Sequence, residues 1–163
     1  MHTLSYSQSG QREILFPATI AEINVGYSHT LKAYERHKIT SSQDAIDVLR
    51  AKWQPDQIQY VEEFKTILLD RGNRVLGIHQ VSKGGQSGTV ADPKTIFSAA
   101  LKAHSAAIIL AHNHPSGQLK PSQADLQLTR KLKEAGKLLD LPILDHVILT
   151  VDGYFSWADH GIL

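Results

Sequence analysis

The spacing of apolar and polar residues predicts several β-strands along the chain. Residues 20–25 alternate, with Ala21, Ile23 and Val25 on one side, which is typical of a half-buried strand. The run from 105 to 111 is almost continuously apolar, as expected of a strand that is covered on both faces. Other short apolar runs, bounded by turn residues, predict a hairpin at 64–69 and 75–81 and a last pair of strands at about 146–151 and 154–157.

Helical spacing predicts three helices between these strands. The first begins with a capping box at Ser41 and Asp44 and ends before Pro55, and the second begins at Asp92, an N-cap residue followed by Pro93. The third begins at Ser122 and ends before Pro142. Their predicted buried faces consist of Ala45, Ile46, Leu49 and Trp53 in the first, Ile96, Phe97, Ala100 and Leu101 in the second, and Leu128, Leu132, Ala135 and Leu139 in the third.

The order of these elements predicts an α/β fold with a mixed β-sheet flanked by helices. A chain of 163 residues is close to the size of one domain. We expect residues 1–17 to be a flexible lead-in and residues 18–60 to be a strand-and-helix extension that packs on the core. Residues 61–163 are expected to form the main domain.

Composition excludes several classes of protein. The chain has no cysteine, which excludes disulfide scaffolds, Cys-ligated zinc fingers and thiol nucleophiles. Its 17 basic and 16 acidic residues leave a net charge of +1, so the totals carry no nucleic-acid signature. The sequence contains neither a recognisable signal peptide nor an apolar run of the roughly 18 residues that a membrane span needs. We therefore expect a cytoplasmic protein with no membrane partner.

Two of the nine histidines lie in an arrangement that suggests chemistry. His112 and His114 are two residues apart, just after a predicted buried strand, so extended geometry points both imidazoles the same way. Asp125 lies in the first turn of the helix that follows. Two imidazoles and one carboxylate are a typical ligand set for catalytic zinc, with the fourth position left for water. Other divalent ions also accept these ligands, so the pattern favours zinc without requiring it.

Each half of this pattern also has a purely structural interpretation. Ser122 and Asp125 form a capping-box pattern, and the same spacing occurs at Ser41 and Asp44, where no metal is expected. A His-x-His pair on its own is more often a polar strand end than a pair of ligands. The two interpretations are compatible, because Ser122 can cap the helix while Asp125 reaches a metal.

The residues of this region resemble a known family. The pattern H-x-H-x7-S-x2-D, filled by His112, His114, Ser122 and Asp125, resembles the JAMM motif of the JAB/MPN metalloproteases. The run His-Asn-His-Pro-Ser-Gly resembles more narrowly the bacterial RadC branch of that family. The similarity extends from about Glu62 to Trp157. It implies a JAB/MPN (deaminase-like) architecture, one bound Zn²⁺, and hydrolysis of peptide or isopeptide bonds.

The resemblance also implies a glutamate just before the first core strand, in contact with the metal-bound water. We assign this position to Glu63, because strand alternation would send its neighbour Glu62 the other way. Granted the site, the metal lowers the pKa of its water from 15.7 toward about 7, and Glu63 serves as general base. Ser122 is expected to donate a hydrogen bond to the oxyanion. His146 is expected to support a ligand rather than to be a fourth one.

Two classes of function remain open at this point. The first is a zinc-dependent amidase or peptidase that acts on a peptide or protein substrate. The second is a non-catalytic or DNA-repair accessory module, in which the metal stabilises the fold or a binding surface. Full-length RadC-type proteins carry a helix-hairpin-helix region, whereas residues 1–60 show a strand and a helix, which weakens the second interpretation. The strand at 20–25 could pair with the sheet edge or with a second copy in a homodimer.

The charge pattern predicts weak binding of nucleic acid at most. No basic cluster in the sequence exceeds two residues, so few phosphates can be neutralised together. The measurement is a titration of the chain against duplex and single-stranded DNA at physiological salt, repeated over a salt series. Sub-micromolar affinity with a steep negative log-log salt slope would contradict the expectation and favour the accessory module.

Overall fold

The computed structural model describes residue 28 and residues 31–84 and 91–163. Within these residues, a short 3₁₀ turn at Ala33–Glu35 is followed by three α-helices and five strands. The helices are α1 (Ser42–Lys52), α2 (Pro93–Lys102) and α3 (Gln123–Leu138). The strands are β1 (Glu63–Leu69), β2 (Val75–Lys83), β3 (Ala107–Asn113), β4 (Ile143–Leu149) and β5 (Tyr154–Ser156). The predicted strand at 20–25 and the lead-in at 1–17 lie outside the described residues.

The five strands form one mixed sheet in the order β2-β1-β3-β4-β5. β3 and β4 are parallel, whereas β1 is antiparallel to both β2 and β3, and β5 is antiparallel to β4. This confirms the predicted α/β class with a mixed sheet flanked by helices, and it is consistent with a JAB/MPN-like fold. The parallel pair lies next to the start of α3, and the carboxyl ends of such strands are where open α/β sheets bind ligands.

The helices begin at the residues that the sequence predicted. Ser41 accepts a hydrogen bond from the Asp44 amide at 3.2 Å, and the Asp44 carboxylate in turn accepts one from the Ser41 amide at 3.0 Å. Asp92 caps α2, with Pro93 in its first turn, and Ser122 caps α3. No helix in the described part of the chain is both long and apolar enough to cross a bilayer.

Apolar residues cover the sheet on both faces. On one face, α1 packs Ala45, Ile46 and Leu49 against β1, β3 and β4. On the other face, α2 and α3 pack against the opposite side chains of the same strands. Every residue of β3 is buried as a result, as its continuous apolar run predicted. Side chains that leave β3 on either face therefore enter a protein interior.

Two predicted core residues are exposed. Leu101 is 54% exposed and Leu139 is 43% exposed. Leu101 lies one residue before the end of α2, and Leu139 is the C-cap of α3, so both lie at helix ends instead of above the sheet. Ile96, Phe97, Ala100 and Leu132 are buried as predicted.

The buried carboxylate of Asp145 connects β4, β5 and the start of α1. Its Oδ1 accepts hydrogen bonds from the amides of His146 at 2.7 Å and Ala158 at 2.9 Å. Its Oδ2 accepts from the hydroxyls of Ser156 at 2.7 Å and Ser42 at 3.3 Å. Burial raises the pKa of Asp145 despite the opposing effect of these hydrogen bonds.

We expect Asp145→Asn to destabilise the fold. An amide group has one oxygen, so the side-chain nitrogen faces donors that it cannot satisfy. The expected loss is about 1–3 kcal/mol of unfolding free energy, measured by urea denaturation. Asp152→Asn is the control, because Asp152 is exposed. Equal stability of the two variants would contradict the importance of the Asp145 contacts.

Candidate metal centre

The centre begins at the carboxyl end of β3. His112 and His114 lie on one face of this strand, and their Nε2 atoms are 3.0 Å apart. His112 is 1% exposed, whereas His114 is partly open to solvent. The spacing of two residues therefore brings both rings to one point, as the sequence predicted.

The first turn of α3 brings a carboxylate to the same point. Asp125 Oδ1 lies 3.3 Å from His112 Nε2, and Asp125 Oδ2 lies 3.7 Å from His114 Nε2. One ligand atom from each of the three residues lies within 4.8 Å of the others. His112, His114 and Asp125 thus form the group that the sequence proposed.

The geometry of this group fits a small divalent cation. Bonds of about 2.0–2.2 Å in a tetrahedral site place neighbouring ligand atoms roughly 3.3–3.6 Å apart, and the distances of 3.0 Å between the two Nε2 atoms and 3.3 Å from His112 Nε2 to Asp125 Oδ1 are close to that spacing. A tetrahedral ion held by these three residues would have one further position, as catalytic rather than structural zinc sites do.

Hydrogen bonds fix the proton of His114 on the nitrogen that faces away from the group. His114 Nδ1 lies 2.6 Å from the carbonyl oxygen of Gln118, and a carbonyl cannot donate. Nδ1 therefore carries the hydrogen, and in the neutral ring Nε2 presents its lone pair to the group. The turn that brings Gln118 back to the ring includes Gly117, whose φ of 79° favours glycine.

The ring of His112 is held by aromatic neighbours and by a third histidine. Phe64 stacks on it, with ring centroids 5.9 Å apart and an interplanar angle of 4°. The Nδ1 atom of His112 lies 2.9 Å from Nε2 of His146. His146 is fully buried and stacks on Trp157. Burial holds the pKa of His146 well below its usual range. His146 thus contacts a candidate ligand and is not part of the candidate metal group.

The capping box of α3 orients the carboxylate of Asp125. Oδ2 accepts hydrogen bonds from the amide of Ser122 at 2.7 Å and from its hydroxyl at 2.6 Å, which leaves Oδ1 toward His112. Partial burial raises the pKa of Asp125, but His112 and the hydrogen bonds from Ser122 outweigh it and hold the pKa below its usual range. The carboxylate is therefore ionised at neutral pH.

The hydrogen bonds of the Ser122 hydroxyl differ from those that its expected role requires. The sequence predicted that its hydroxyl would donate to a substrate oxyanion, but here the hydroxyl hydrogen is directed to Asp125 Oδ2. The same hydroxyl oxygen accepts from the Asp125 amide at 3.1 Å. In this structure, Ser122 positions the candidate ligand and caps the helix at the same time.

The structure does not bring Glu63 to the metal group, which differs from the sequence-based assignment. Its carboxylate pairs with Lys65 at 2.9 Å and with Lys83 at 3.5 Å, and Lys65 lies over the ring of Trp53 on the α1 side of the sheet. Phe64, the next residue, stacks on His112 on the other side. Alternation therefore sends Glu63 away from the histidines.

The sequence analysis also missed the role of Asn113, which is fully buried between the two histidines. Its side chain leaves β3 on the α1 side, accepts from the Glu63 amide at 2.7 Å, and donates to the carbonyls of Ile58 and Val61 at 2.8 Å each. It thus fixes the backbone on both sides of Glu62. The strand was predicted to end at residue 111, whereas β3 extends to Asn113. A polar residue directly after a run predicted to be buried on both faces was the available signal, since a buried polar residue needs partners.

Comparison with known proteins extends the resemblance over most of the chain. The family model of the RadC-like JAB domain matches residues 39–162, which includes α1 as well as the sheet. The match therefore begins earlier than the similarity noted from the motifs.

Curated relatives share this domain. A UPF0758 protein of Flavobacterium johnsoniae is 46% identical over 127 residues, which are 77% of this chain and 53% of that protein. A UPF0758 protein of Moorella thermoacetica is 46% identical over 110 residues, 66% of this chain and 48% of that protein. The chain thus spans about half the length of these relatives. On the extent of these matches, the chain belongs to the RadC-like JAB domain family.

Proposed function

We propose that this domain is a zinc-dependent hydrolase of peptide or isopeptide bonds. The observation that carries the proposal is the convergence of two Nε2 atoms and one ionised carboxylate at the end of β3. A closed structural zinc site needs four protein ligands, whereas this group supplies three. The arrangement therefore favours catalysis over a purely structural metal.

His112, His114 and Asp125 would hold the ion. Zinc bound there would supply a Lewis acid and a water of pKa about 7. The chain's own residues would keep the ligands in place: Ser122 holds the carboxylate of Asp125, and the Gln118 carbonyl holds His114. Such supporting hydrogen bonds fix ring orientation and ligand basicity.

We assign the general base to Glu62 instead of Glu63. Phe64 pairs with His112 at the end of the antiparallel β1–β3 ladder, and Glu62 and His114 are the residues just outside the two strands. Continuing the register by two residues would bring Glu62 opposite His114. Side chains two apart on a strand share a face, so Glu62 shares the face of Phe64 and of the candidate ligands. From that position a carboxylate can take a proton from the attacking water and transfer it to the leaving amine.

The substrate class is proposed from the chemistry of the site alone. A metal-bound water of lowered pKa, a Lewis acid and a carboxylate base are the groups that metal-dependent amide hydrolysis requires. We therefore propose a peptide or protein substrate, and we retain a cytoplasmic setting as part of the proposal. No specific contact among the described residues favours the DNA-repair alternative, and a homodimer stays a prediction.

Zinc binding is the first test. We expect about one zinc per chain in the wild-type protein, and a loss of zinc in Asp125→Asn, because an amide is a much weaker ligand than a carboxylate. Metal analysis after dialysis and a zinc titration measure both.

Asp44→Asn is the matched control for zinc binding. Asp44 occupies the same position in the capping box of α1 and accepts the same type of bond from Ser41, but no histidine faces it. Both variants weaken a helix cap, so a difference in zinc content between them reports a specific effect of Asp125. Equal zinc content in Asp44→Asn and Asp125→Asn would contradict the metal assignment.

The base is tested by a pair of adjacent variants. With a substrate identified by screening peptides and isopeptides against the zinc-loaded domain, Glu62→Gln should lose about 10²- to 10⁴-fold in turnover while keeping zinc, because the amide cannot accept a proton. Glu63→Gln should retain turnover, since its carboxylate lies with Lys65 and Lys83. The reverse result would return the role to Glu63.

A further inference from the structure

A chain of buried hydrogen bonds connects two of the candidate ligands behind the metal group. His112 Nδ1 lies 2.9 Å from His146 Nε2, and His146 Nδ1 lies 2.6 Å from the hydroxyl of Thr129. The Thr129 hydroxyl in turn donates to the backbone carbonyl of Asp125 at 2.6 Å. This series of hydrogen bonds therefore begins on the ring of His112 and ends on the backbone carbonyl of Asp125.

The donors and acceptors of this chain set its direction. A carbonyl only accepts, so the one hydrogen of the Thr129 hydroxyl goes to Asp125, and its oxygen accepts from Nδ1–H of His146. In the neutral ring, His146 Nε2 is then an acceptor, and His112 must donate to it from Nδ1–H. This leaves the lone pair of neutral His112 on Nε2, which faces the metal group.

Within this buried series of bonds, the reverse direction makes one hydrogen bond fewer, although it lets His112 donate from Nε2 to His114 Nε2 at 3.0 Å. If His146 donated from Nε2 to His112, its Nδ1 would need a hydrogen from Thr129, and the bond from Thr129 to the Asp125 carbonyl would be lost. His146 is 0% exposed and Thr129 is 4% exposed, so bulk water does not replace a lost bond there. In that reversed state neutral His112 would carry its hydrogen on Nε2, where it blocks a metal.

We propose that Thr129 and His146 are positioning residues that hold His112 in the Nδ1–H tautomer and so keep its Nε2 free to bind the metal. The inference rests on the proposed metal site and adds to it two residues that do not touch the ion. Thr129 is four residues after Asp125 on α3. One face of this helix therefore carries both the candidate ligand Asp125 and the hydroxyl whose hydrogen bonds orient the candidate ligand His112.

The experiment measures zinc affinity of the metal-free domain by competition with a chromophoric chelator. Thr129→Val keeps the shape of the side chain and removes the hydroxyl, and we expect it to weaken zinc binding about 10- to 100-fold. Thr129→Ser restores the hydroxyl and should bind zinc nearly as the wild-type protein does.

Thr66→Val is the matched control, because Thr66 is fully buried and its hydroxyl has no hydrogen-bond partner. It should leave zinc affinity unchanged. Affinity of Thr129→Val within about twofold of the wild-type value, or an equal loss in Thr66→Val, would overturn the proposal, since supporting hydrogen bonds of this kind are worth 10- to 100-fold.

A second readout needs neither metal nor turnover. Long-range ¹H–¹⁵N NMR of the metal-free domain at about pH 8, above the ordinary imidazole pKa of about 6.5, reports the tautomer of each neutral ring. We expect the Nδ1–H form of His112 in the wild-type protein and in Thr129→Ser, and a mixture of tautomers in Thr129→Val. The same tautomer in all three would overturn the role of Thr129. If the wild-type domain binds no zinc, the proposed function fails, and the tautomer comparison still decides this inference.

Discussion

The candidate site depends on the burial of β3 on both faces at the end where its polar residues lie. His112 and His114 leave the strand toward α3, and Asn113 between them leaves it toward α1. Because His112 and Asn113 are buried away from bulk water, each of these two side chains needs a defined partner. Asn113 finds three backbone groups, which tie down the segment before β1, and the imidazoles find His146 and Gln118. The alternation of one strand thus fixes both the candidate ligands and the segment that carries Glu62.

The carboxylate of Asp125 serves the fold and the candidate chemistry with different oxygens. Oδ2 completes the capping box of α3 through Ser122, and Oδ1 faces His112. Asp44 shows what the same box does without histidines, since among the described residues its carboxylate accepts only from Thr40 and Ser41. A capping box holds a carboxylate at a fixed place and angle at a helix start, which is also what a ligand requires. One arrangement of Ser122 and Asp125 is therefore compatible with both a helix cap and a metal ligand at Asp125.

Local patterns predicted the parts of the structure that depend on residues close in sequence. The caps at Ser41, Asp92 and Ser122, the hairpin and the His112–His114 pair follow from spacing along one element. The face of the sheet on which Glu63 lies cannot be predicted from such spacing, because it depends on which strand lies beside β1 and in what register. The pairing of Phe64 with His112 settles it, and that pairing joins residues far apart in the sequence. The role of Thr129 was not predicted for a related reason, because its partner His146 belongs to a different element, β4.

The hydrogen bonds around the two imidazoles also determine what can lie between them. With Nδ1–H of His114 directed to Gln118 and Nδ1–H of His112 to His146, the two neutral rings present lone pairs to each other across 3.0 Å. Two such pairs repel unless a proton or a cation lies between them, and the ionised Asp125 beside them strengthens the demand for positive charge. A metal ion and a proton therefore compete for the same place, and acid conditions favour the proton. The hydrogen bonds from Ser122, Gln118 and His146 hold this arrangement in place, and a bound cation would relieve the repulsion within it.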